Sequence, residues 1–194
     1  GDRRGEDAQQ RLKEMVEVLA YVPFTRIDIV FLNRRDHVTL TRNARDPKAF
    51  LEYAYPQIDH LFAKGPAGTT PVLEKLQNSL IAGQHQQIAR YFFGDGVPNG
   101  GVQAEREITR ILCARENPAG NPMTFISCTN EDAAVEWMKD CEEVAPYCSE
   151  SDDFGDEARE VLRDQGAALP YSKGFHLICC LVAAMNPDDL DAMD

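Results

Sequence analysis

The chain has no C-x-x-C pair, no long apolar run and too few basic residues to balance its acid, and each shortage closes off a class of protein. The six cysteines, Cys113, Cys128, Cys141, Cys148, Cys179 and Cys180, are too sparse for a disulfide scaffold. Most lie in apolar periodic segments, where a free thiol packs as a small hydrophobe. That pattern points to a reducing, cytoplasmic compartment and leaves a Cys141 to Cys148 bridge open. The longest apolar run, Leu177 to Met185, is about half the length of a membrane-spanning helix. No charged-then-apolar leader opens the sequence, so no membrane insertion is expected. Thirty-two acidic residues against twenty basic ones give a net charge of −12, which repels phosphate backbones unless the positive charge is gathered on one face. Nucleic acid is not an expected partner.

What is present is a single core's worth of apolar residues, 43% of 194, and one domain over 1–187 is expected. Acid concentrates in Glu142-Glu143, in Glu150 to Glu157 and in an acidic tail, 188–194, all read as solvated. Leu12, Met15, Val16 and Leu19 fall at helical spacing and predict an amphipathic helix over 6–21. Ile27 to Leu32 reads as a buried strand, and Val38 and Leu40, after a turn at Asn33 to Asp36, as a more exposed edge strand. Asp46-Pro47 starts a helix, with a break expected near Pro56. Thr70 is the expected N-cap of the helix that carries Leu73, Leu76 and Leu80. Strands are predicted at Ile88 to Phe93 and Met123 to Cys128, each followed by a helix. Between Tyr147 and Asp156 only a weak strand or a loop is legible, before a short helix around Val161 and an apolar last one. Alternating strands and helices with short connections predict an open, mostly parallel sheet covered on both faces.

Two loops carry the candidate chemistry. Ligands of an open parallel sheet bind beyond the carboxyl ends of its strands. Gly94-Asp95-Gly96 follows an apolar strand directly and puts a carboxylate at that edge between glycines, and Gly65 to Pro71 offers the Thr70 hydroxyl from a similar loop. A hard cation such as Mg²⁺ takes oxygen ligands of this kind. The four histidines have no metal-ligand spacing, Trp137 falls on an apolar helical stripe, and Cys179-Cys180 reads as packing. Asp152-Asp153 and Asp156-Glu157 read as a solvated loop rather than paired catalytic acids.

Gly68-Thr69-Thr70-Pro71 and Phe93-Gly94-Asp95-Gly96-Val97-Pro98 resemble the second and third segments of the metal-ion-dependent adhesion site of the von Willebrand factor A family. The family pattern counts two positions from Gly68 and so selects Thr70 over Thr69. The intervening helix, the strand before Gly94, Ile27 to Asn33 and Tyr171-Ser172-Lys173-Gly174-Phe175 before the last helix extend the resemblance over nearly the whole chain. It implies a Rossmann-like α/β fold with one antiparallel edge strand. It also implies a protein-binding module rather than an enzyme, with Thr70 and Asp95 as ligands of a Mg²⁺ that is offered to a partner's carboxylate.

The family's first segment, D-x-S-x-S, does not occur in the sequence, which starts just before the family's first helix. Residues upstream are therefore expected, and the metal with them; without that segment Thr70 and Asp95 hold a cation weakly. Two other functions stand beside the first. One is a metal-free scaffold of the same fold. The other is a Mg²⁺-dependent phosphatase of the haloacid dehalogenase type, which the Gly94 to Gly100 loop half matches and for which Ile27-Asp28-Ile29 is not the required D-x-D.

Overall fold

In the computed structural model, which describes residues 3–42, 46–65, 68–129, 131–152, 154–166 and 171–186, the first apolar stripe becomes α1 (Arg3–Leu19) with Met15 and Val16 buried. The chain divides into two units, Gly1–Thr70 and Pro71–Asp194. The acidic tail at 188–194 lies outside the described residues.

In the first unit α1 is followed by β1 (Arg26–Val30), β2 (His37–Thr41) and α2 (Pro47–Phe62). The two strands pair antiparallel with Ile27 opposite Leu40 and Ile29 opposite Val38, so these four share one face. The other face is exposed and polar apart from Val30, with Thr39 Oγ1 donating to Asp28 Oδ1 at 2.7 Å. β1 is thus half-buried rather than buried. The inner face, α1 and α2 enclose a core of Val16, Ala20, Ile29, Leu40, Phe50, Ala54, Ile58 and Leu61. Asp46 caps α2 as expected, accepting from the Lys48 and Ala49 amides. The break expected at Pro56 does not occur, and α2 runs through it. Pro56 is exposed, so the N–H it lacks is lost on the solvent side of the helix, and Gln57 Nε2 donates to the Tyr53 carbonyl at 3.1 Å. Burial of Phe50, Ala54, Ile58 and Leu61 on the opposite face holds the helix together across the proline.

The second unit contains α3 (Val72–Ala82), β3 (Arg90–Gly94), α4 (Gly101–Ala114), β4 (Met123–Ser127), α5 (Asp132–Val144), β5 (Cys148–Ser151), α6 (Phe154–Gln165) and α7 (Lys173–Val182). β3, β4 and β5 form a parallel sheet in that order, and the central strand β4 is buried at every residue. α5 packs on β5 from one face, whereas α7 and the 3-10 turn Ala183–Met185 cover the other. The fold is α/β with a parallel sheet, as the alternation of elements predicts. The antiparallel strand does not border that sheet: among the described residues the hairpin is a two-stranded sheet of its own. A tight turn lets β1 and β2 pair with each other as a hairpin.

Two further expectations are corrected. Thr70 is not the N-cap of α3; Pro71 holds that position with a ψ of 59° and makes no side-chain cap bond. Of the weak strand or loop legible between Tyr147 and Asp156, the strand is present as β5, and Asp156 and Glu157, read as part of a solvated loop, lie instead in the first turn of α6, where negative charge suits the helix dipole. All six cysteines are free, including Cys141 and Cys148.

At the amino ends of the strands the second unit is tied by one buried side chain. Arg115, 7% exposed, donates to the carbonyls of Leu112, Asn121, Pro146 and Tyr147, which joins the end of α4 to the entries of β4 and β5. The Asn121 side chain extends the tie, accepting from Arg90 Nη1 at 2.9 Å and donating to the carbonyls of Gln86, Glu116 and Asn117. Arg115→Ala strands these carbonyls, so urea unfolding followed by circular dichroism is expected to show a loss of about 3 kcal/mol or more. Arg115→Lys recovers little, because an ammonium lacks the planar fork that reaches all of them. Pro56→Ala is expected to raise stability by about 1 to 2 kcal/mol in the same measurement, by restoring a helix hydrogen bond.

Candidate functional site

Asp95 lies in the turn at the carboxyl end of β3, on the opposite edge of the parallel sheet from Arg115, and its side chain is exposed. The turn is held on both sides of it. The Cys128 amide donates to the Gly94 carbonyl at 2.8 Å, which carries the pairing of β3 and β4 one step past the strands. Trp137 Nε1 donates to the Gly96 carbonyl at 3.4 Å. Trp137 is 4% exposed and stands edge-on to Phe92 and Phe125, at ring separations of 6.0 and 5.3 Å. It is therefore core, as its helical stripe predicts, and its polar end also anchors the Asp95 turn, a role that apolar periodicity does not reveal.

The two glycines beside Asp95 differ. A Cβ on Gly94 would stand 2.3 Å from Phe92 Cε1 and 2.9 Å from Met138 Cε, so this position is closed by packing beneath it. A Cβ on Gly96 meets nothing within 4 Å, so the space over that residue is open to whatever approaches the turn. α4 begins at Gly101 with Gly100 at the N-cap, which places the capping position well past Asp95. Val97, two positions after Asp95, and Val102, in the first turn of α4, are 47% and 60% exposed.

Thr70 is the last residue of the first unit, half-buried, in the segment between α2 and α3. Within that unit the start of its loop is fixed by Arg34. The guanidinium donates to the carbonyls of Leu61 at 2.6 Å and Gly65 at 2.8 Å, pairs with Asp36 and lies over the Phe31 ring at 4.0 Å. Gly68 has a φ of +82°, a left-handed conformation that glycine adopts without strain.

The expected ligand set is one hydroxyl and one carboxylate, where Mg²⁺ takes about six oxygens. Asp95 fits one of those places as a hard, exposed oxygen donor at a sheet edge. Among the described residues no three His, Cys, Asp or Glu side chains form a metal-ligating group, and a set of two does not require one.

Other clusters are structural. His176 is buried between Tyr171 OH, 3.1 Å from Nδ1, and Cys180 Sγ, 3.5 Å from Nε2, and Cys180 Sγ also meets Ser151 Oγ at 3.2 Å. A thiol, an imidazole and a phenol in this order resemble an activated nucleophile, but Cys180 is 3% exposed and no substrate reaches it. His37, His60 and His85 are exposed. Asp28 sits in mid-strand on the exposed face of β1, paired with Arg26 and Thr39, away from the strand end where a phosphatase nucleophile stands. Glu150, absent from the expected site residues, carries in Oε1 the one buried side-chain oxygen or nitrogen without a hydrogen-bond partner among the described residues.

Gly94→Ala is expected to destabilise the protein by about 1 to 3 kcal/mol through overpacking against Phe92 and Met138. Gly96→Ala is expected to change stability by less than about 0.5 kcal/mol. Thermal unfolding of the two variants side by side checks the contrast.

Among the described residues no helix is long and apolar enough to cross a membrane. Compared with known proteins, the chain matches no family model, no curated protein and no solved structure.

Proposed function

We propose that the chain is a protein-binding module of the von Willebrand factor A type, in which Asp95 helps to hold a divalent cation that is offered to a carboxylate of the partner. The observation that carries this reading is the Asp95 turn. An exposed carboxylate stands at the carboxyl edge of a parallel sheet, in a turn whose Gly94 and Gly96 carbonyls accept from the Cys128 amide and Trp137 Nε1, beside the open space over Gly96. The hydroxyl of Thr70 enters from the resemblance alone. Mg²⁺, when bound, supplies a positive centre with a coordination position for the partner, which suits a chain of net charge −12 that must attract another acid. Exposed Val97 and Val102 beside the turn supply the apolar contact that a protein interface needs around such a centre.

Calorimetric titration of the full-length protein with Mg²⁺ tests the reading. Wild type is expected to bind, Asp95→Ala to lose binding by at least about tenfold, and Thr70→Ala to weaken it, since each removes one oxygen from a small ligand set. Wild-type binding unaltered by Asp95→Ala would remove the metal from this turn. Absence of any Mg²⁺ binding, with partner capture that resists chelator and is lost on Val97→Asp, would instead establish the metal-free scaffold.

A further inference from the structure

Glu150 stands where the fold otherwise places aromatic carbon. The parallel register sets Phe92 beside Phe125 and Phe125 beside Glu150, so the three share the sheet face on which α5 and Trp137 pack. Phe125 is fully buried. Glu150 Oε1 is sealed from solvent and has no hydrogen-bond partner.

The charged groups around it are committed elsewhere. From α5, Lys139 Nζ lies 3.3 Å from Asp152, and Glu142 Oε1 accepts from the Glu150 main-chain amide at 3.0 Å. From α6, Glu157 Oε1 accepts from the Asp152 amide at 3.3 Å. β4 and the turn Ala183–Met185, which also pack on β5, bring no titratable side chain. Glu150 therefore faces Glu142, Asp152 and Glu157 with a single ammonium among them. An ionised oxygen sealed in this place without a donor is costly, and the neutral acid is the form that fits.

We propose that Glu150 is a proton-operated latch on β5: as the neutral acid it lets the strand lie against α5, and loss of the proton drives β5 away from Glu142, Asp152 and Glu157. Among the described residues β5 is an edge strand of the sheet, and Glu142 covers the Glu150 N–H on that edge, so opening the latch uncovers a strand edge that can pair with another chain. Burial, reinforced by Asp152 and opposed by Lys139, with Glu142 and Glu157 adding to the rise, pushes the Glu150 pKa from 4.5 up to about 8. The unfolded chain releases this proton near the ordinary value and the folded chain near the raised one. Between them the folded state holds one more proton, so stability falls as pH rises through that window and levels off above it.

The latch does not rest on the metal reading, and its test leaves Asp95 untouched. Melting of wild type and Glu150→Gln is compared by scanning calorimetry from about pH 5 to about pH 9, with amide exchange at Cys148–Ser151 measured at each pH. Wild type is expected to lose about 5 °C or more relative to the variant across this range, with exchange accelerating selectively in β5. In ¹³C-labelled wild type the Glu150 carboxyl is expected to titrate near neutral or above. Parallel melting profiles, or a carboxyl midpoint in the ordinary glutamate range, would overturn the latch. If Glu150→Gln does not fold, the wild-type carboxyl midpoint alone decides.

Discussion

The guanidinium of Arg115 is the contact on which the second unit depends. Charge is expensive to bury, and Arg115 is buried with four of its hydrogen bonds directed at main-chain carbonyls and a further one at the Cys148 side chain. Its planar fork fastens the end of α4 to the start of β4 and the start of β5, and Asn121 passes the constraint to Arg90 at the start of β3. All three strands are thereby registered from their amino ends. The carboxyl ends are left to loops, where Asp95 stands. Rigidity at one edge and chemistry at the other is the division of labour expected of parallel sheets.

Much of the architecture is legible in the sequence because the apolar periods are unambiguous. Ile88 to Phe93 and Met123 to Cys128 become β3 and β4 with small shifts, and the helices after them start where the glycines and acids allow. The errors have physical causes. Pro56 reads as a breaker when local chemistry is considered alone, but it lies on the exposed face of a helix whose other face is anchored by Phe50, Ala54, Ile58 and Leu61. Thr70-Pro71 has the composition of a cap, yet the backbone of Pro71 takes the cap position itself. β5 is only weakly legible because its four residues, Cys148 to Ser151, contain a glutamate and two serines, and acid is normally a mark of solvent.

The candidate site divides along the same line. The position of Asp95 at a strand end follows from the apolar run before it. The means of holding its turn do not, because the Trp137 N–H and the Cys128 amide reach it across tertiary distances that periodicity cannot register. The distinction between Gly94 and Gly96 is equally invisible in one dimension: identical residues, one pressed against Phe92 and Met138, the other under open space. Net charge, by contrast, is a property of the whole chain, and an excess of acid constrains which partners can approach irrespective of fold.

Trp137 is the only tryptophan in the sequence, and it belongs to the second unit, between Phe92 and Phe125 and beneath the Asp95 turn. Its indole is therefore an intrinsic optical probe that sits in the second unit. Emission on excitation of this residue follows the parallel sheet and the rim above it. Any discrepancy between that emission and a signal summed over all peptide bonds separates the melting of one unit from that of the other, without a label.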